Sequence, residues 1–241
     1  MNARTTENIL AIDTTTAVFS LALGTAEGQW YFEADAGPRH SQLLMEITDF
    51  LIKKACLKPA ELSRVVCMNG PGSFTGLRIG FSSAKALGLS LGIPFSAVLS
   101  LDCMAYPYLM WPGPVLPLID AKKKSWFCAL YKGGTRLTPD MDAQAAEIAR
   151  VICETFSGQD REHIQVLLAG PDAGQIDSDS LAKASAGKKI DFIVAPACRR
   201  GSARELLAIA QTQKIINNEN KYFLGGPEYL RKSDAEINLG V

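Results

Sequence analysis

Apolar residues recur along the chain in two patterns: short runs that are typical of buried strands, and longer stretches with helical spacing. In the first part of the chain the short runs predict strands at 8–13, 18–23, 30–35, 64–69 and 95–98. The longer stretches predict a helix at 40–55, with Ser41 as its N-cap, and a helix at 74–91, which Pro94 ends. The predicted order of elements is therefore β-β-β-α-β-α-β.

The second part of the chain repeats this order of elements. Its strands are predicted at 115–120, 126–131, around 136, 164–169 and 190–194, and its helices at 142–156, 179–185 and 202–215. The segments LAIDTTTAVFSLAL and PLIDAKKKSWFCAL, one from each half, align without a gap. The chain is therefore predicted to be a pseudo-duplication.

A proline-rich stretch separates the two halves, with Pro107, Pro112 and Pro114 interrupting regular structure. We therefore predict an α/β protein with an N-terminal subdomain of 1–104 and a C-terminal subdomain of 105–241. The tail over roughly 220–241 is expected to pack back on the first subdomain. Two such units imply a cleft between them, which the aspartate at the end of each first strand would face.

The composition is that of an ordinary globular protein, with 47% apolar and 21% charged residues. Basic and acidic residues number 25 each, so any binding of RNA must be local, weak or shared with a partner. Six cysteines without a C-x-x-C pair and only two histidines argue against a zinc site. Scattered cysteines and a polar start predict a cytoplasmic protein, and no membrane span is expected.

An aspartate ends the first strand of each half. Asp13 is followed by a hydroxyl-rich turn that begins at Thr14, and such an acid suits magnesium–phosphate chemistry. It suits a simple cap of the turn equally well, and the sequence does not separate the two interpretations. Asp120 is the counterpart of Asp13 in the second half.

A glycine-rich turn of Gly70, Pro71, Gly72 and Ser73 joins a predicted strand to a predicted helix. Backbone amides at the start of a helix can hold a phosphate. The turn is not a Walker loop, because the lysine is missing, and the position of Ser73 does not fit a nucleophile elbow. The alternative interpretation is a tight turn in which Ser73 or Thr75 caps the helix.

The helix that follows this turn is apolar on almost every side, and its small residues let another backbone come close. A helix of this kind is buried all round, either inside its own chain or against another subunit. We therefore predict that it forms a partner interface together with the helix at 40–55. The predicted interface residues are Leu44, Met45, Thr48, Ile52, Gly76, Leu77, Gly80, Phe81 and Ala84.

With these motifs the chain resembles the TsaB (YeaZ) family, a bacterial component of the tRNA threonylcarbamoyladenosine machinery. The resemblance covers most of the chain and rests on the segments ILAIDTTT, RHSQLL, NGPGSFTGLRIGFSSAKALG, PLIDAKK and PEYLR. It implies a duplicated actin/Hsp70-like ATPase fold made of two RNase H-like subdomains. It also implies a function in forming N6-threonylcarbamoyladenosine at position 37 of tRNAs that read codons beginning with A.

The resemblance implies a non-catalytic subunit that pairs with TsaD, the transferase, through the two N-terminal helices. Homodimers through the same helices and a complex with the ATPase TsaE are also implied, with tRNA bound through the complex. TsaD-type proteins hold a metal through an H-x-x-x-H pair, whereas His40 is followed by Leu44 at that spacing, so neither a metal site nor a catalytic residue is expected. In the PEYLR segment, Tyr229 is expected to pack the tail back and Arg231 to face a partner.

Residual nucleotide binding stays open at Asp13, Thr14, the turn of 70–73 and Asp120, as ATP or ADP with magnesium at a site shared with a partner. The turn after Asp120 lacks the glycine of an intact second phosphate loop, which argues against hydrolysis. The alternative function is an independent ATPase or phosphotransferase of the actin-like fold, and the two aspartates favour it.

Overall fold

A computed structural model describes residues 7–157, 163–183, 185, 189–196, 199–212 and 225–231. The strands of this part of the chain are β1 (Ile9–Asp13), β2 (Val18–Gly24), β3 (Gln29–Asp35), β4 (Arg64–Gly70), β5 (Phe95–Leu99), β6 (Pro114–Asp120), β7 (Trp126–Cys128), β8 (Tyr131–Lys132), β9 (Thr135–Arg136), β10 (Met141–Ala143), β11 (His163–Ala169) and β12 (Lys189–Val194). Its α-helices are α1 (His40–Lys54), α2 (Phe74–Leu91), α3 (Ser100–Ala105), α4 (Ala145–Thr155), α5 (Ser178–Lys183) and α6 (Ala203–Thr212).

These elements form two compact units. The first unit contains the described residues up to Cys103 and those from Gly201 to Tyr229. The second contains the described residues from Met104 to Arg200 and from Leu230 onward. Among the described residues, no helix is both long and apolar enough to cross a membrane.

The first unit is built on a five-stranded sheet in the order β3-β2-β1-β4-β5. The central strand β1 pairs antiparallel with β2 and parallel with β4. Alternate residues of β1, Leu10 and Ile12, belong to the core that α1 and α2 cover, while Ile9 and Ala11 are also fully buried. Helix α6 packs on β1, β2 and β4. Because both faces of β1 are covered, its sequence is a continuous apolar run rather than an alternation.

The second unit repeats this arrangement, with a sheet in the order β10-β7-β6-β11-β12. Strand β6 takes the central place, antiparallel to β7 and parallel to β11, as β1 does in the first unit. The predicted duplication is therefore confirmed. The single strand predicted at 126–131 is divided into β7 and β8, because β8 pairs with the beginning of β6 while β7 pairs with its end.

Two local predictions were wrong. The beginning of the helix predicted at 142–156 is strand β10, because Asp142 and Ala143 pair with β7 and add an edge to the sheet. Ser41 does not cap α1, which begins at His40 after Arg39 and has no side-chain cap. Helix α3 was not predicted, and the part of the predicted helix 202–215 beyond Thr212 lies outside the described residues.

Helix α6 follows the strands of the second unit in sequence but packs in the first. Its Leu206 and Leu207 are fully buried, and Ser202, just before it, donates its amide to Asp13. The predicted C-terminal subdomain of 105–241 thus includes a helix that the structure places in the first unit. The physical reason is that the apolar stripe of α6 covers a part of the first sheet that would otherwise be exposed. Of the predicted tail, 220–224 and 232–241 lie outside the described residues.

Candidate functional site

The carboxylate of Asp13 is almost completely buried, with 1% of the residue exposed. One oxygen, Oδ1, accepts hydrogen bonds from the Thr15 amide at 3.0 Å and from the Thr15 hydroxyl at 2.7 Å. The other, Oδ2, accepts the Ser202 amide at 2.9 Å. Asp13 therefore caps its turn and fixes the entry to α6, and the geometry favours the capping interpretation over magnesium binding.

The Asp13→Asn variant tests this interpretation. An amide cannot accept from all three donors, and its NH2 group must face one of them, so we expect a loss of about 2–4 kcal/mol in the free energy of unfolding. Urea unfolding measures it. The control is Asp49→Asn on α1, whose exposed pair with Lys53 should contribute about 0–1 kcal/mol. Wild-type stability of Asp13→Asn would contradict the capping role.

The glycine turn packs against the turn that follows β1. The Ser73 amide donates to the Thr15 carbonyl at 2.7 Å, and a Cβ at Gly72 would lie 2.8 Å from that same carbonyl oxygen. Ser73 is the N-cap of α2, because its Oγ accepts the Gly76 amide at 3.3 Å. The predicted cap is therefore confirmed, and the amides of Ser73 and Gly76 have partners within the chain.

The tail covers the same turn from another side. The Glu228 amide donates to the Asn69 carbonyl at 2.8 Å, and the Glu228 carbonyl oxygen occupies the space where a Cβ of Gly70 would be. Gly70 has a φ of +110°, a conformation that side chains rarely adopt. The ring of Tyr229 lies 4.6 Å from that of Phe74. Gly70, Gly72, Ser73 and Asp13 thus all contact other parts of their own chain.

The small residues of α2 do allow a close backbone approach, as predicted, but the backbone belongs to the same chain. The Thr14 hydroxyl donates to the Gly76 carbonyl at 2.6 Å. A Cβ on Gly76 would overlap the Thr14 carbonyl oxygen, and one on Gly80 would lie 2.5 Å from the Thr14 hydroxyl. These glycines therefore allow α2 to pack directly against the end of β1.

Most of the predicted interface residues are buried in the first unit. They are Leu44, Thr48, Ile52, Gly76, Leu77, Gly80, Phe81 and Ala84. Their assignment to a partner surface is corrected, because their own chain already buries them. Met45 is different, since 54% of it is exposed.

The exposed sides of α1 and α2 nevertheless carry large apolar side chains. Phe50 on α1 is 46% exposed and Leu89 on α2 is 63% exposed. Each lies on a side of its helix that faces away from the core. We call the exposed sides of these two helices the outer face and use the name for Met45, Phe50, Arg78, Ser82, Ala86 and Leu89.

In the second unit, the carboxylate of Asp120 is bound by Lys122 of the turn that follows it. Its Oδ1 accepts the Lys122 amide at 2.8 Å, and its Oδ2 pairs with the Lys122 ammonium at 2.5 Å. This hydrogen bond raises the pKa of Lys122. Lys122, Lys123 and Lys124 all have positive φ angles, so residues that disfavour this conformation form the turn where an intact phosphate loop has glycine.

Arg231, which was predicted to face a partner, lies in the second unit and makes contacts within its own chain. It donates to both carboxylate oxygens of Asp142, at 2.6 Å and 2.7 Å. It also donates to the Ala121 carbonyl at 2.7 Å and to the Ser125 hydroxyl at 2.6 Å. The guanidinium therefore links Asp142 of β10 to Ala121 and Ser125, which lie at the two ends of the turn that contains the three lysines. It also lines an open cavity of about 480 Å³ together with Lys123.

No group of three or more histidine, cysteine, aspartate or glutamate side chains is close enough to hold a metal within the described ranges. His40, which matches the first histidine of the metal pair, is buried and packs edge-on against Phe19 with ring centroids 5.8 Å apart.

The sequence model of the family described as "TsaD: tRNA N6-adenosine threonylcarbamoyltransferase" matches residues 34–239. The tRNA threonylcarbamoyladenosine biosynthesis protein TsaB of Bacillus subtilis is 31% identical over 240 residues, which cover 95% of this chain and 96% of that protein. The protein of the same name from Escherichia coli is 32% identical over 127 residues, covering 52% of this chain and 54% of that protein.

Two solved structures from Pseudomonas aeruginosa are similar to this chain. One, an uncharacterized protein with similarity to peptidase YeaZ, has a TM-score of 0.70 at 22% identity and covers 93% of this chain and 100% of its own. The other, YeaZ, has a TM-score of 0.65 at 21% identity and covers 85% of this chain and 90% of its own. They share the fold of this chain, and the repeated strand order of the two units confirms the predicted duplicated α/β architecture.

Proposed function

The chain belongs to the TsaB (YeaZ) family of tRNA threonylcarbamoyladenosine biosynthesis proteins, and on that premise we propose that it pairs with and activates a TsaD-family transferase. In this proposal the chain is a non-catalytic subunit in the formation of N6-threonylcarbamoyladenosine at position 37 of tRNAs that read codons beginning with A. TsaE joins the same assembly, tRNA binds through the complex, and two copies of the chain pair through the same helices when TsaD is absent.

The observation that carries the proposal is the outer face. Leu89, Met45 and Phe50 expose about half or more of their surface on two adjacent helices whose opposite sides are fully buried. Ser82 and Ala86, which precede Leu89 on the exposed side of α2, are small, so a partner helix can approach closely. Large apolar side chains that are exposed on neighbouring helices are typical of a protein–protein interface.

The contacts of the two aspartates support a non-catalytic role over the alternative of an independent ATPase. Asp13 accepts three hydrogen bonds from its own chain, and Asp120 is paired with Lys122. The glycine turn is occupied by Thr15 on one side and by Glu228 on the other. We therefore propose that any ATP or ADP with magnesium is held mainly by the partner, at a shared site.

The test is co-purification with the TsaD-family subunit of the same cell, followed by a threonylcarbamoylation assay with and without this chain. We expect a one-to-one complex and modified tRNA only when both proteins are present. The matched control replaces this chain with its Met45→Glu variant, which should fold but assemble poorly. If the wild-type chain formed no complex and turned over ATP alone, the independent ATPase would be the correct function.

A further inference from the structure

One end of the outer face carries an arginine that the fold holds in a fixed position. Arg78 lies in the first half of α2, and Ser82, Ala86 and Leu89 follow it on the same side of the helix at spacings of four, four and three residues. It is exposed to solvent. Arg78 therefore begins the stripe that ends at Leu89, the most exposed of the large apolar residues on this face.

Two aromatic rings fix the side chain of Arg78. Its guanidinium lies over the ring of Phe74, with the central carbon 3.9 Å from the ring centroid. Its Nε donates to the Tyr229 hydroxyl at 3.1 Å, and the Tyr229 ring packs on Phe74. An exposed arginine normally loses rotamer freedom when it binds, and this one has lost part of that freedom before any ligand arrives.

The contacts that fix Arg78 leave the two terminal nitrogens of its guanidinium, Nη1 and Nη2, available for binding. The stacking uses one face of the guanidinium and the Tyr229 contact uses Nε. Within the described part of the chain neither Nη1 nor Nη2 has a hydrogen-bond partner. These two nitrogens form a planar fork that matches the two oxygens of a carboxylate.

We propose that Arg78 binds a carboxylate of the partner subunit, and that Tyr229 is the positioning residue that holds Arg78 for this contact. This inference rests on the proposed function and adds the chemistry of one contact to it. A protein carboxylate is favoured over an RNA phosphate because the rest of the outer face is small or apolar.

The test compares dissociation constants of the complex with the TsaD-family subunit, measured by calorimetry for wild type, Arg78→Ala, Arg78→Lys and Tyr229→Phe. We expect Arg78→Ala to weaken binding by about 10–100-fold, since hydrogen bonds to charged groups dominate such anchors. Arg78→Lys should lose about tenfold despite its charge, because the ammonium lacks the planar fork.

Tyr229→Phe keeps the stacked ring but removes the hydroxyl, so we expect it to weaken binding by about threefold to tenfold. In the Arg78→Ala background the same change should have no effect, and this non-additivity distinguishes positioning through Arg78 from a general loss of structure. Thermal unfolding of every variant checks the fold. The control is Arg150→Ala on α4, an exposed arginine with surface partners only, which should leave binding unchanged.

Unchanged affinity of Arg78→Ala for the partner, in a complex that wild type forms normally, would overturn this inference and leave the proposed function standing. The inference would also be wrong if that variant kept its affinity for the protein but weakened binding of tRNA to the complex. If the wild-type chain formed no complex with the TsaD-family subunit, the proposed function would be wrong, and the proposed contact of Arg78 would be wrong as well.

Discussion

Replacing Leu44 with glutamate is expected to unfold the first unit. Leu44 is 2% exposed and lies in the core between α1 and the sheet, together with Phe19 and Leu51. The variant loses the burial of a leucine, about 2–5 kcal/mol, and also places a carboxylate in an apolar core, which adds a desolvation cost. The total is comparable to the whole stability of a domain, which is about 5–15 kcal/mol.

The neighbouring variant Met45→Glu is the matched control for the same charge on the same helix. Met45 is 54% exposed, so its glutamate stays in water and the fold should be retained. If the outer face binds the partner, this charge becomes buried without a counter-charge, and the affinity should fall by at least about tenfold.

Circular dichroism with thermal unfolding, and affinity for the TsaD-family subunit, measure the two variants together. We expect loss of the folded state for Leu44→Glu and a native melting curve with weak binding for Met45→Glu. A folded Leu44→Glu protein would contradict the core position of Leu44. A folded Met45→Glu protein with wild-type affinity would show that the partner binds elsewhere.

The elements of the first unit could be predicted well because each has local signals. Helix α2 was predicted at its observed bounds, since Ser73 caps its beginning and Gly92, in a left-handed conformation, ends it just before Pro94. Strand β10 could not be predicted in the same way. Its three residues are strand only because β7 lies beside them, and the sequence around Asp142 has a helical period.

The exposed side of α1 was predicted poorly for a related reason. Apolar residues lie on more than one side of this helix, and a helical period does not tell which side faces the sheet. Leu44 and Met45 are adjacent in sequence, yet the structure buries one and exposes the other. Only the position of the sheet decides between them.

The candidate site depends on contacts between residues that are far apart in sequence. Asp13 is fixed by Ser202, 189 residues later, and Gly70 is covered by Glu228. The motif was recognised correctly as a place where a backbone comes close, but the sequence could not say which backbone. The glycines suggested a phosphate-binding turn because they lack a side chain. That lack allows the close approach of a ligand and of a neighbouring backbone equally well.

The Gly76→Ala variant is expected to destabilise the first unit by about 3 kcal/mol. Inside a helix this change would normally stabilise by about 1 kcal/mol, because alanine is the better helix former. Here the new methyl group overlaps the Thr14 carbonyl oxygen. The helix must move away from β1, which strains the packing and breaks the hydrogen bond between Thr14 and the Gly76 carbonyl.

Gly80→Ala provides a graded comparison on the same helix. Its methyl group meets the Thr14 hydroxyl, which can rotate away, so we expect a smaller loss of about 1 kcal/mol. Adding Thr14→Ala should make Gly80→Ala neutral, but it should not rescue Gly76→Ala, because the obstructing carbonyl belongs to the backbone. Urea unfolding of the four variants separates a backbone obstacle from a side-chain obstacle. Wild-type stability of Gly76→Ala would show that α2 does not rest on the end of β1.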